Sequence, residues 1–160
     1  MSDFDDLVVR VADDQDVPAI AMLRSLWSMT GTGDPGFEAR MAAWLTHEGE
    51  RRTTWLALRA ERAVGMASLW EYHRMPRPDR GDSRWGYVSN MFVRDGLRGR
   101  GIGSALLAAV IAAADERGYA RLVLSPSSAS LAFYRRAGFI VPDDDAGEHR
   151  LLIRPRRAVG

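Results

Sequence analysis

Residues 86–139 read GYVSNMFVRDGLRGRGIGSALLAAVIAAADERGYARLVLSPSSASLAFYRRAGF, and the order of features in this stretch decides the fold. Tyr87 to Val93 is strand-like. A turn rich in glycine and arginine follows, Arg98-Gly99-Arg100-Gly101-Ile102-Gly103. Gly101 to Arg117 then reads as a helix, apolar on most of its faces and closed by Gly118 as a C-terminal cap. A helix with so little polar surface is expected to be buried against a sheet. Strand, turn and helix in this order gather unblocked backbone N–H groups, the positive end of a helix dipole and two guanidinium groups at one place. Such a place holds a phosphate or pyrophosphate.

Working outward, Leu7 to Val11 reads as a short strand. Asp13 to Asp16 offer helix caps ahead of an apolar helical pattern from Val17 to Trp27. After a loop from Met29 to Gly36, helical spacing returns through Phe37, Met41, Ala42 and Leu45. Thr53 to Leu58 and Val64 to Tyr72 read as a hairpin, and His73 to Arg84 as a polar loop. Beyond the long helix, Arg121 to Ser125 is a strand and Ser128 to Arg136 a short helix. Phe139 to Val141 and Arg150 to Arg154 form a last strand pair around the acidic turn Asp143-Asp144-Asp145. The order β-α-α-β-β-β-α-β-α-β-β describes one α+β domain over residues 1–160.

Composition narrows the chemistry. The 160 residues suffice for one domain with a real core. A formal net charge of +1 gives no reason to expect nucleic acid as a partner. No apolar run is long enough to span a bilayer, and the acidic start MSDFDDLVVR lacks the layout of a secretion signal. With no cysteine, thiol nucleophiles and cysteine metal sites are excluded, and a cytoplasmic location is expected. Every one of the 22 basic residues is arginine, so a Walker-type phosphate loop and a lysine Schiff base are excluded too. The three histidines, His47, His73 and His149, lie in no ligand spacing, and there is no G-x-S-x-G. No metal site is expected.

Three readings compete for the turn. A dinucleotide fingerprint from Gly99 needs glycine at position 104, which is Ser104. A purely structural role would suit one isolated glycine better than three alternating ones flanked by arginine. The third reading is a pyrophosphate cradle. Here Val93-x-x-x-x-Arg98-Gly99-x-Gly101-Ile102-Gly103-Ser104-x-Leu106-Leu107 resembles the acyl-CoA-binding motif of the GNAT superfamily of N-acyltransferases. Ser130-x-x-Phe133-Tyr134-x-x-x-Gly138-Phe139 is similar to the second signature of that family, and the separation between the two also fits. Two positions depart from the pattern: Asp95 where proline is frequent, and Ser127 where asparagine is frequent.

The resemblance implies a GNAT-like domain with a mixed, mostly antiparallel sheet of six to seven strands and helices on both faces. It implies acetyl-CoA as acyl donor. The pantetheine arm would enter between the strands Tyr87 to Val93 and Arg121 to Ser125, with contacts at Met91, Phe92, Val93 and Ser127. Backbone from Arg98 through Gly99, Arg100, Gly101, Ile102 and Gly103 to Ser104 would hold the pyrophosphate. The Met91 N–H would face the thioester oxygen. Tyr134 would face the sulfur and protonate the leaving thiolate, while its neighbour Phe133 is expected to be the core residue of the pair. The acceptor amine must be neutral to attack, and Glu71 is the first candidate base, with His73 and Asp82 behind it. Direct transfer in a ternary complex follows, since no acyl-cysteine can form.

Acceptor recognition is expected in Trp27 to Phe37 and Glu71 to Trp85. There Trp27, Phe37, Trp70, Tyr72 and Trp85 could line a pocket, and Arg74, Arg77, Arg80 and Arg84 could hold an anionic group. A small-molecule amine leads as acceptor, and a homodimer is compatible with family habit. The alternatives are a non-catalytic acyl-CoA-binding sensor or inactive relative, and a protein N-terminal acetyltransferase.

Overall fold

A computed structural model describes residues 6–29, 33–142 and 151–157. Six strands, β1 (Leu7–Val11), β2 (Arg52–Arg59), β3 (Arg62–His73), β4 (Arg84–Val93), β5 (Arg121–Leu124) and β6 (Leu152–Pro155), form one mixed sheet in sequential order. Four helices complete an α+β domain: α1 (Val17–Ser28), α2 (Phe37–Glu48), α3 (Ile102–Glu116) and α4 (Leu131–Arg136). β1 with β2 and β5 with β6 are antiparallel, whereas β4 and β5 run parallel. The acidic turn at 143–145 and His149 lie outside the described residues. The strand expected at Phe139 to Val141 is reduced to a single bridge, Ile140 to Ile153. Three residues leaving a helix cap are too few to extend that ladder.

The chain packs as two units, Met1–Ser68 with Asn90–Val110, and Leu69–Ser89 with Ile111–Gly160. In the first, Asp13 opens a capping box with Asp16 that starts a 3-10 turn leading into α1. Arg10 donates to both oxygens of Asp16, at 2.7 and 2.9 Å, and holds that carboxyl down to a pKa of about 2. Ile20 and Leu23 of α1 pack on Leu56, Met66 and Phe92. Side chains alternate along a strand, so Gly65, next to Met66, faces the other way. A Cβ there would meet the Phe92 carbonyl at 3.0 Å, Leu106 at 3.1 Å and Ile102 at 3.3 Å. The start of α3 therefore lies close against that second face, and only glycine leaves the room.

In the second unit Gly86 plays the same part. A Cβ on it would meet Leu69 at 2.6 Å, Leu122 at 2.9 Å and Tyr119 at 3.1 Å. Tyr119, Leu122 and Leu124 are almost fully buried there. Gly138 follows α4 with a positive φ, and Arg154 of β6 donates to the Ala137 carbonyl beside it at 3.2 Å.

Candidate functional site

β4 leads into the glycine turn, and its backbone is irregular where the turn's strand should act. Asn90 has φ +54 in the middle of the strand. A left-handed residue inside a strand has the conformation that bulges use, and it re-aims the neighbouring peptides; this point is called the bulge below. Asparagine tolerates this region better than most residues. Its side-chain oxygen accepts from Arg52 at 3.3 Å, and Arg52 is itself fixed by Glu48 at 2.6 Å and lies 4.6 Å from the Trp44 ring centre. Sequence reading passed over Asn90. Its signal was one turn-forming residue within an otherwise strand-like run. Phe92 is buried and stacks on Trp27, with ring centres 5.8 Å apart.

After β4 the chain turns through Gly96, Gly99 and Gly101, all with φ between +75 and +81. Ala105 N–H donates to the Gly101 carbonyl at 3.0 Å, the first i to i−4 bond of α3. The amides of Ile102, Gly103 and Ser104 therefore fall in the first turn, where a helix has no internal acceptor for them. Ile102 is buried and anchors that end. A Cβ at Gly99 would meet nothing of the protein within 4 Å, so the turn's outer side is open. Arg98 is exposed; it donates to the Val93 carbonyl at 3.3 Å and pairs with Asp95 at 3.1 Å. The turn thus has the positive φ values, the helix start and the open approach that a diphosphate requires.

A cavity of about 300 Å³ lies in the same unit, among α1, α2, β2, β3 and β4. Phe37, Arg40, Met41, Trp44 and Leu45 of α2 form one of its walls. Their spacing is that of a core-facing helix stripe. Yet no residue of α2 is buried, because that stripe faces the cavity. Ile20 and Arg24 of α1, Met66 of β3, a mutually bonded hydroxyl pair (Thr54 and Ser68, 3.1 Å) and Asn90 complete the lining. A larger cleft of about 540 Å³ shares Ile20, Leu45 and Thr54 with it and carries Asp13, Asp14 and Glu50. Only the first reaches the bulge.

The second unit holds the remaining candidates. Glu71 accepts from the Tyr119 hydroxyl at 2.6 Å and lies 3.8 Å from Arg84, which also faces Asp82 at 3.5 Å. Asp82 contacts His73 as well. The three candidate bases are thus joined through one arginine. Hydrogen bonding from His73, then the charges of His73 and Arg84, hold the Asp82 carboxyl below its usual range. Tyr134 is buried and packs edge-on against Phe133 and Phe139, at 5.0 and 5.8 Å between ring centres. Phe133 is only partly buried, so the expectation for that pair is reversed. Burial pushes the Tyr134 phenol up. The Ser127 hydroxyl is engaged with that of Ser130 at 2.9 Å.

β4 and β5 pair at Gly86 with Leu122 and Tyr87 with Val123, and no pairing beyond Tyr87 is seen among the described residues. Of the aromatic candidates, Phe37 lines the cavity and Trp27 covers Phe92. Tyr72 packs at a tilt against both Trp70 and Trp85 in the second unit. Arg77 is paired with Asp79, and Arg84 with Glu71 and Asp82. No group of side chains among the described residues could hold a metal ion, and no described helix is long and apolar enough to cross a membrane.

Comparison with known proteins bears on the family and the fold. The family model "Acetyltransferase (GNAT) family" matches residues 17–139. A Trypanosoma brucei acetyltransferase is similar, with 25% identity, 89% of this chain and 98% of that one covered, and a TM-score of 0.70. A predicted acetyltransferase of Clostridium acetobutylicum, solved with acetyl-CoA, has 20% identity, covers 88% and 94%, and has a TM-score of 0.70. Glucosamine-6-phosphate N-acetyltransferase of Arabidopsis thaliana has 14% identity, covers 89% and 97%, and has a TM-score of 0.69. Among curated protein sequences none matches.

Proposed function

The chain belongs to the GNAT acetyltransferase family, and on that premise we propose that it moves an acetyl group from acetyl-CoA to the primary amine of a small molecule. The observation that carries this reading is the glycine turn, with its positive φ values at Gly99 and Gly101 and α3 beginning at Ile102. The backbone of Arg98, Gly99, Arg100, Gly101, Ile102, Gly103 and Ser104 binds the diphosphate, with Arg98 as a supplementary charge. Backbone at Met91 and Val93 takes the pantetheine amides, Phe92 anchors the strand from the core, and Ser127 is a lesser contact.

The amine attacks the thioester carbonyl carbon directly. A C–N bond forms, the C–S bond breaks, and the thiolate leaves. The Met91 N–H, next to the bulge at Asn90, stabilises the oxyanion in between. The amine's proton goes to Glu71, the carboxylate held by Tyr119, while Asp82 is engaged by His73 and Arg84. Tyr134 serves the leaving sulfur. A phenol near pKa ~10 giving its proton fully to a thiolate near ~8.5 runs uphill by roughly 2 kcal/mol. Burial raises the phenol further. Tyr134 therefore acts chiefly as a neutral hydrogen-bond donor to developing thiolate charge.

Thermal melting in parallel with acetyl-CoA, CoA, ATP and NAD tests the donor assignment. Acetyl-CoA and CoA should raise Tm, and a rise with ATP or NAD alone refutes it. Release of free CoA across a panel of amines tests transfer.

A further inference from the structure

The cavity beside the bulge has a chemical bias. Among the described residues its charged lining residues are Arg24 and Arg40, one from each helix, and no carboxylate lines it. Most of the remaining lining is apolar and includes the aromatic side chains of Phe37 and Trp44. The two arginines differ. Arg40 is already engaged by Asp34 at 2.5 Å. Arg24 lies 4.9 Å from the centre of the Trp27 ring, and no carboxylate partner for it is seen among the described residues. A polycation would meet two like charges here, and Asp34, the carboxylate beside Arg40, is already paired with it. An anionic group on a flat apolar body would meet a guanidinium fork and aromatic walls. The volume, about 300 Å³, suits a compact ligand.

We infer that the acceptor is a compact amine with an apolar, flat body and an anionic group, a carboxylate in the simplest case, which Arg24 recognises with Arg40 in support. The amine end then lies toward Asn90 and the Thr54–Ser68 hydroxyl pair. The assignment of this cavity to the acceptor rests on the acyl-transfer reading; its preference for an anion does not.

The test uses ligands without an amine, so that no turnover is needed. Calorimetry on the full chain compares 3-phenylpropanoate, 3-phenylpropanamide and spermidine, with acetyl-CoA in a separate cell. The carboxylate should bind about tenfold more tightly than the amide, the span expected of one charge-assisted hydrogen-bonded contact. Spermidine should bind most weakly. Arg24→Met should bring carboxylate and amide close to parity, and Arg40→Met should narrow the gap less. Both side chains are exposed, so unchanged melting serves as the folding check. Equal binding of acid and amide, no binding of either, tighter spermidine, or a preference that survives Arg24→Met would overturn the inference. Failure of acetyl-CoA to bind would instead strike the acyl-transfer reading and leave the anion preference standing.

Discussion

The glycine turn at 98–104 and the cavity around Arg24 belong to the same packed unit, yet they are built from different material. The turn offers backbone: amides at the start of α3 and glycines at φ values that few other residues accept. The cavity offers side chains from five separate elements. A site made of backbone constrains the residues that shape it, and those are contiguous. A site made of side chains can be rewritten one residue at a time without disturbing the fold. In this family such a division suits a common donor and a variable acceptor.

The largest expected effect tests whether the donor site is backbone. Gly99→Val forces a branched side chain into a left-handed conformation at about 1–2 kcal/mol and removes charge-assisted amide contacts worth about 1.5–3 kcal/mol. Affinity for acetyl-CoA should fall roughly 10²-fold, read by calorimetry. Gly96→Val supplies the control, because Gly96 has the same sign of φ and equally open surroundings but precedes the motif. It should cost similar stability and leave acetyl-CoA affinity intact. If both variants lose the ligand, strain explains the loss and the contrast collapses.

Tyr134→Phe should lower kcat by up to about 10²-fold, the lower end for a positioned acid, with acetyl-CoA affinity unchanged. With its pKa raised, ionisation of this phenol should remove no activity below pH ~10. A descending limb near neutrality that vanished in the variant would contradict the role.

On the cavity side, Trp44→Ala should raise the acceptor KM several-fold, about what loss of one aromatic contact is worth, and leave the acetyl-CoA Kd alone. If the donor Kd moved instead, the two sites would not be the separate constructions described above.

The smallest effect concerns the frame that both sites share. Asp16, held at a pKa of about 2 against its ordinary 3.8, stabilises the fold above pH ~4 and loses that contribution as pH falls toward 2. Asp16→Asn should lower Tm by a few degrees at pH 7. That gap should close between pH 4 and 2 in a melting series, without change in ligand preference.

Contiguity explains what was legible. The turn, the long helix and the second signature each occupy a few consecutive residues, so motif and spacing revealed them. Strands β1 to β4 and helices α1 to α3 followed from hydrophobic period within three residues. Trp44, Arg24, Arg40 and Asn90 were not foreseen. Helical period marks Phe37, Met41 and Leu45 as apolar, but a core stripe and a cavity wall have the same spacing.

From its order of residues alone, this chain declared an α+β fold, a glycine turn before α3 and a family, because local backbone conformation and short motifs are written in neighbours. Tertiary structure alone decided that the α2 stripe faces open space, that Arg24 and Arg40 share that space with no carboxylate of the described residues lining it, and that Tyr134 rather than Phe133 is buried. Those outcomes depend on how distant elements pack, and no local pattern encodes which apolar face is left uncovered.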